Sequence, residues 1–374
     1  MNKPVFKYIM MILVVVLCSL VAKTQVALRC GDPKMDILAV QMATAYEKNH
    51  IQNRDNIQTV NIVIKVFFHI IRLTNGNSPG ATSAQITSEY NSLVSSYTGD
   101  NICFLNAGFD YINNDYLDTA FVAGVDNSNF FSPYQVPACI NVFYPLRIKG
   151  SNGACNNTCG IGGTSFQIPN TFCLVGNSNI GKGNTVAHEV GHCMGLFHTF
   201  ERANGIETIN GSNATTAGDL IADTPADPYG LTGSCYDTTA NGCSYTGNCP
   251  DPNGATNYSP PYTNLMAYWW NGNAVTCYSN LTPTGGQYSR VNATLSTYAP
   301  LQSCQSPFNY TLNAFTVSSG YFMQSVINSL TTSGSVNLVG SVISTLGGGH
   351  TYLEPGFKAS PTSGTITIRP IPCN

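Results

Sequence analysis

Charge is scarce in this chain of 374 residues: Asp, Glu, Lys and Arg together make up 9% of it. Ordinary domains carry roughly 25%, so the surface has to be covered by Asn, Ser, Thr, Gly and Tyr. The net charge is −3, and no basic run is present to track phosphates, which excludes nucleic acid as an expected partner. Long apolar runs are also missing once the first 25 residues are passed. No later stretch approaches the roughly 20 residues that cross a bilayer, so no membrane span is expected in the mature protein. Internal repeats are absent. Tryptophan is reduced to two residues and histidine to six.

What is present begins with MNKPVFKYIMMILVVVLCSLVAKTQ. Lys3 and Lys7 precede an apolar run from Tyr8 to Val21. Its length and position read as a signal peptide over residues 1–24, which implies secretion. Cys18 raises a lipoprotein alternative, but Leu17 before it is large where lipid-modified cysteines follow a small residue. The chain has 14 cysteines, which fits an oxidising compartment. Thirteen remain once Cys18 leaves, an odd number. Cys30, in LRCGDPK ahead of the mature domain, is the outlier, and the other twelve suffice for six disulfides. Cys155 and Cys159 are close enough to share a loop, Cys304 and Cys373 bracket the last segment and are expected to pair, and Cys193 reads as buried or paired.

The chain divides into four parts: the signal peptide (1–24), a pro-segment (25–56) with basic cleavage candidates at Lys48 and Arg54, a catalytic domain (57–304) and a β-rich module (305–374). NIVIKVFFHIIR (61–72) is apolar and β-branched enough for a buried strand. TSAQITSEYNSLVSSYTG follows, with Ile86, Tyr90, Leu93, Val94 and Tyr97 at helical spacing, one face for a sheet. NICFLNAGFDYI and ACINVFYPLRI read as strands. SFQIPNTFCLVG reads as the last strand before a helix at residue 185 or so, and GGQYSRVNATLSTY as a closing helix. The fold class expected is therefore α+β, with a small all-β module behind it.

Half of the histidines fall in HEVGHCMGLFHTF, residues 188–200. On a helix, His188 and His192 lie four apart and project from one face. Neutral imidazoles at that spacing can share one zinc ion. Glu189 then places a carboxylate beside the metal without taking a coordination position, where it can accept a proton from water. Gly195 tolerates positive φ, so the chain can turn there and return His198 as a third ligand. Three protein ligands leave a fourth position open, the mark of a catalytic site. HExxH alone arises by chance in roughly one chain in a hundred. Adding Gly195 and His198 at their offsets lowers that by orders of magnitude against the bland reading of a buried, hydrogen-bonded histidine helix.

The extended pattern HExxHxxGxxH resembles the metzincin clan of zinc proteases. That clan carries a methionine turn beneath its metal, and TNLMAYWW supplies Met266 with Tyr268 two places on. HEVGHCMGLFHTFE, GDLIADTP (218–225), NLMAY (264–268) and GGQYSR (285–290), in that order, are similar to the pappalysin family. The match over residues 60–180 is looser, and the last seventy residues fall outside it. The resemblance implies a metzincin-like catalytic domain in which Tyr268 stabilises the tetrahedral intermediate and an edge strand pairs with substrate backbone. It also implies a latent zymogen, because Arg29-Cys30-Gly31 resembles the motif whose cysteine occupies zinc's fourth position. Many relatives of that kind bridge two cysteines in the loop after the third histidine. Ala214 and Ala222 stand there, so that bridge is expected to be missing. Some pappalysins cut before arginine through an acid just after the Met-turn tyrosine. WWNGNAVTC (269–277) has none, so basic P1′ preference is expected to be weak, with Trp269 or Trp270 lining an apolar subsite.

GDLIADTPADP offers Asp219, Asp223 and Asp227 among turn residues. Calcium is one reading, since carboxylates suit a hard cation and some pappalysin-like structures hold it; turns and caps are the other. Residues 305–374 alternate Ser, Thr, Val and Ile and resemble small β domains appended to secreted bacterial proteins, with surface binding or export as the expected role. His350, after three glycines, reads as a loop residue. The expectation is a secreted zinc metalloendopeptidase acting on protein or peptide substrates. Its rivals are a different metzincin family, and a surface-binding protein with a vestigial protease domain. The first is discriminated by whether GDLIADTP packs beside the active-site helix.

Overall fold

The structure is a computed structural model. It describes residues 34–50, 62–99, 101–119, 128–148, 162–181, 184–229, 231, 247–269 and 281–307, together with strands at 309–325, 329–347, 350–352, 358–363 and 366–369. The signal peptide, Cys30, Arg54, Cys155, Cys159, Trp270 and Cys373 lie outside these residues.

In chain order the main elements are β1 (Lys34–Met35), α1 (Ile37–His50), β2 (Ile62–Arg72), α2 (Ser83–Ser96), β3 (Ile102–Asn113), β4 (Ile140–Tyr144), β5 (Gly163–Thr164), β6 (Gln167–Ile168), β7 (Phe172–Val175), α3 (Thr185–Cys193), α4 (Gly285–Thr297) and α5 (Ala299–Cys304). A mixed five-stranded sheet in the order β3-β2-β4-β7-β5 is the scaffold. Its first four strands run parallel, and β5 is antiparallel to β7. The run IVIKVFFHIIR becomes β2, buried along nearly its whole length, because a strand inside a parallel sheet is covered on both faces. One face packs Ile64, Val66, Phe68 and Ile70 against α2, α3 and α4 residues including Leu93, Val190 and Val291. The other holds Ile71, Phe131, Phe143 and Leu174 in a second cluster.

α2 begins at a capping box, in which Thr82 and Gln85 satisfy each other's backbone amides. Its buried face is Ile86, Glu89, Leu93 and Ser96. Val94, expected on that face, is 39% exposed: the helix is rotated so that a carboxylate takes a place that apolar spacing assigned elsewhere. SFQIPNTFCLVG does not form one edge strand. It splits into β6 and β7, and β7 pairs on both sides, with β4 and β5. The edge beside α3 is β5, residues 163–164, because a short antiparallel return adds outside β7.

The N-terminal segment is part of this body. β1 pairs in parallel with β6, and α1 lies against α4, with Ala39, Val40 and Ala43 buried. Lys48 sits in α1, so its backbone is not the exposed loop that proteases nick most readily. Beyond residue 307, β8 (Asn309–Ser325), β10 (His350–Tyr352), β11 (Lys358–Ser363) and β12 (Ile366–Arg369) all pair with β9 (Ser329–Gly347). His350 therefore opens a strand and does not sit in a loop.

Cys139, Cys193 and Cys304 are free and buried, while Cys103 and Cys249 are in disulfides. Cys304 is not paired with Cys373, and its thiol points to the Pro300 carbonyl at 3.4 Å. Six disulfides are thus too many. An unpaired cysteine is ordinary in this chain, so elimination no longer singles out Cys30.

Candidate metal centre

α3 carries His188 and His192 on one face, and the chain then reverses. Gly195 adopts φ +94°. Leu196 N–H donates to Gly191 O at 3.0 Å and Gly195 N–H to His192 O at 3.0 Å, the bond pair of a Schellman ending. A Cβ at residue 195 would also run into the Thr294 hydroxyl of α4. Glycine is needed there for conformation and for space. The reversal brings His198 to the other two. One ring nitrogen from each of the three lies within 4.8 Å of the others, and no other group of three His, Cys, Asp or Glu gathers this way among the described residues.

The rings are oriented by carbonyls. His188 Nδ1–H donates to Leu265 O at 2.8 Å and His192 Nδ1–H to Leu196 O at 2.7 Å. Since a carbonyl only accepts, both rings carry their proton on Nδ1 and turn the Nε2 lone pair toward the cluster. His188 Nε2 is buried with no hydrogen-bond partner. His192 Nε2 and His198 Nε2 stand 3.1 Å apart. Burial pushes His188 down to about 4. Burial, and then the neighbouring imidazoles, push His192 and His198 well below the usual range. All three are neutral near pH 7. Phe200 stacks on His198, with ring centres 4.6 Å apart.

Glu189 is fully buried on the same helix. Met266 is buried below it, and a Cβ at Gly191 would stand 2.8 Å from its sulfur, so only glycine lets helix and turn approach this closely. Thr199 N–H donates to Met266 O at 3.2 Å, tying the third histidine's loop to the turn. The Tyr268 ring lies 4.7 Å from that of His198 and 5.6 Å from that of His188.

Two amides that sequence reading overlooked hold this turn. Asn264 Nδ2 donates to Gln287 Oε1 at 2.7 Å, and Asn264 Oδ1 accepts from Met266 N–H at 2.8 Å. Gln287 lies within GGQYSR, but a contact between residues 23 apart in sequence leaves no periodic trace. GDLIADTP packs close to α3. Leu220 adjoins Phe197 and Ile168, while Ile221 joins the cluster that contains Val190 and Met266.

The three aspartates do not converge. Asp223 caps α4, accepting from the Thr284 hydroxyl and from Gly286 N–H at 2.7 Å each. Asp227 accepts from the Thr199 hydroxyl at 2.5 Å, Trp269 Nε1–H at 2.9 Å and Tyr229 N–H at 2.9 Å. Asp219 is buried and accepts from Ile221 N–H at 3.1 Å. Asp223 and Asp227 serve a cap and a strut, Asp219 Oδ2 is left buried without a hydrogen bond, and the three carboxylates do not gather into one ligand group among the described residues. Trp269 is only 6% exposed and packs on Tyr229 and Tyr262. It is a strut behind Tyr268, not the wall of an open subsite.

Known proteins similar to this chain are extracellular metalloproteases. One from Podospora anserina is 26% identical over 294 residues, covering 72% of this chain and 89% of that protein. One from Neurospora crassa is 26% identical over 284 residues, covering 72% and 88%. Among solved structures, promirolysin from Tannerella forsythia superposes with a TM-score of 0.45 and 20% identity, over 72% of this chain and 92% of that one; this likeness is too distant to build on. No family model matches the chain.

Proposed function

We propose that the chain is a secreted zinc metalloendopeptidase of metzincin type, similar to the pappalysins, and that it is made as a latent zymogen. The observation that carries the reading is the convergence of His188, His192 and His198 with two Nδ1 protons fixed on carbonyls. Zinc with nitrogen ligands at 2.0–2.1 Å in tetrahedral geometry sets those nitrogens about 3.3 Å apart, close to the 3.1 Å between His192 and His198. Neutral rings with buried lone pairs are the right donors for it. Three donors leave a position for water or substrate. The metalloprotease relatives support the same class.

Bound zinc supplies Lewis acidity, which lowers the pKa of a water and polarises the scissile carbonyl. Glu189, adjacent in sequence to the first ligand, accepts the proton of the attacking water on its carboxylate and returns it to the leaving amine. Tyr268, against the rings of His188 and His198, donates its hydroxyl to the carbonyl oxygen as negative charge builds there. Gly195 and Met266 set the ligand geometry from the turn and from below. Cys30 is assigned as the latency ligand, the signal peptide and pro-segment (1–24 and 25–56) as leader, and residues 305–374 as an accessory β module.

The test is casein digestion by wild type and Glu189→Ala at equal zinc content. Loss of at least about 100-fold is expected from removing a general base. Equal activity would make the protease domain vestigial, and the protein a binding protein.

A further inference from the structure

We infer that Gly163, on the short strand β5, is a positioning residue for the Glu189 carboxylate. The inference rests on the reading of Glu189 as general base and adds the element that holds it in place.

β5 forms the edge of the sheet beside α3. Gly163 pairs with Val175 and Thr164 with Leu174, which fixes the strand against β7. Gly163 is buried in the strand, and Glu189 is fully buried on the helix. The two meet without any gap. A Cβ on residue 163 would fall on Glu189 Oε1 and stand 2.6 Å from its Cγ and 2.7 Å from its Cδ. No other residue's atoms are nearer to that point than these three. Gly163 is not in the left-handed region, because its φ is not among the positive values. Its requirement is therefore space alone, and the space is taken by one side chain.

What a methyl group there would do follows from which of the two can move. The β5 backbone is held by its pairing with β7. The Glu189 side chain has three rotatable bonds, so the carboxylate is what turns aside. His188 and His192 hold their orientations through Leu265 and Leu196 carbonyls, bonds that do not involve β5. A residue larger than glycine at 163 should therefore leave the metal ligands in place and misplace the base. A displacement of about 1 Å in a catalytic group costs on the order of 100-fold in rate. A methyl group leaves the backbone N–H and C=O groups of the β5 edge unchanged, so substrate affinity is expected to move much less than the rate.

The experiment is a double-mutant cycle on Gly163→Ala and Glu189→Ala, read in two ways. For Gly163→Ala alone we expect one zinc per chain as in wild type, kcat lowered about 100-fold and KM within about threefold. The metal-free proteins give the second readout, thermal unfolding. Gly163→Ala lowers Tm in the wild-type background, and the loss disappears in Glu189→Ala, which lacks Oε1, Cγ and Cδ. A single variant that fails to fold while the double variant folds supports the contact equally. Wild-type kcat in Gly163→Ala overturns the inference, as does an undiminished Tm loss in the double variant. Should Glu189→Ala be as active as wild type, the catalytic reading fails on its own, while the Tm cycle still reports whether the two residues touch.

Discussion

Arg290 and Glu47, 243 residues apart, form a two-pronged ion pair: Nε to Oε1 at 2.7 Å and Nη2 to Oε2 at 3.0 Å. It joins α4, whose Gln287 holds Asn264, to α1, within the segment assigned as leader. Arg290 is 1% exposed, and a buried charge stripped of its partner is expensive. Glu47→Ala is expected to lower the unfolding free energy by roughly 3 kcal/mol, measured by urea titration of the proform. A change below about 0.5 kcal/mol would mean that water replaces the carboxylate. The same physics bears on maturation. If residues 25–56 are removed, Arg290 loses its carboxylate, and the mature enzyme should unfold at lower urea than the proform.

Glu89 gives the clearest pH dependence. Burial raises its carboxyl to about 7, against the pull of the Gly181 N–H at 2.9 Å. Its folded pKa exceeds the unfolded one, so the folded state binds the extra proton. That stability is fully present below about pH 4.5 and is lost as pH rises through about 7. Glu89→Gln keeps an acceptor for Gly181 and removes the charge. It should stabilise the protein at pH 8 by about 3 kcal/mol and be nearly neutral at pH 4.5. Equal effects at the two pH values would show that the carboxyl ionises without penalty.

Asp227 is the strut between the loop that carries His198 and the stretch that carries Tyr268. It binds Thr199, next to His198, and Trp269, next to Tyr268. Asp227→Ala leaves every ligand in place but frees both neighbours. Zinc affinity is expected to fall about 10-fold or more, the usual cost of losing a group that orients ligands, measured by competition with a chromophoric chelator. Unchanged affinity together with unchanged kcat would reduce Asp227 to an ordinary turn residue.

Much of this was legible because the signals were local. The continuous apolar run of β2 marks a strand buried on both sides, and the offsets of His188, His192, Gly195 and His198 encode a helix, a reversal and a third donor. Properties that depend on neighbours distant in sequence were not legible. Which strand takes the sheet edge depends on where β5 adds, and Val94 and Glu89 exchanged places because the rotation of α2 answers to α3. The oxygens of Asp223 and Asp227 look like cation ligands until Thr284, Gly286, Thr199 and Trp269 arrive to use them. Cys139, Cys193 and Cys304 remain thiols because burial in the core, not a disulfide, accounts for them.

Latency now stands on motif chemistry alone, since Cys139, Cys193 and Cys304 are also outside any disulfide. A thiolate binds zinc at about 2.3 Å and would displace the catalytic water. Cys30→Ala proform should cleave itself and casein without prior activation. If it stays intact and as inactive as wild type on a gel time course, Cys30 is not the latency ligand.

Removing the metal should separate activity from fold. A structural zinc site unfolds on chelation because the ion supplies the folding energy. Here His188 and His192 sit on a helix that is already packed, with Val186, Val190 and Cys193 in the main core cluster, and His198 follows in a loop tied to Met266. Dialysis against a chelator is therefore expected to abolish proteolysis, leave the circular dichroism spectrum unchanged and lower Tm by the lost binding term, all restored by zinc. The metal-free protein should also become sensitive to acid. Burial holds His188 at about 4 and the other two well below the usual range, whereas the unfolded chain protonates them near 6.5. For groups with a depressed folded pKa, stability is present above the unfolded value and is lost as pH falls through the folded one. The Tm of the metal-free protein should thus drop steeply between about pH 6.5 and 4, and His188→Gln should remove part of that slope. A metal-free protein whose Tm is flat across this window would mean that the three rings are open to solvent, and not the buried neutral donors that the proposed centre needs.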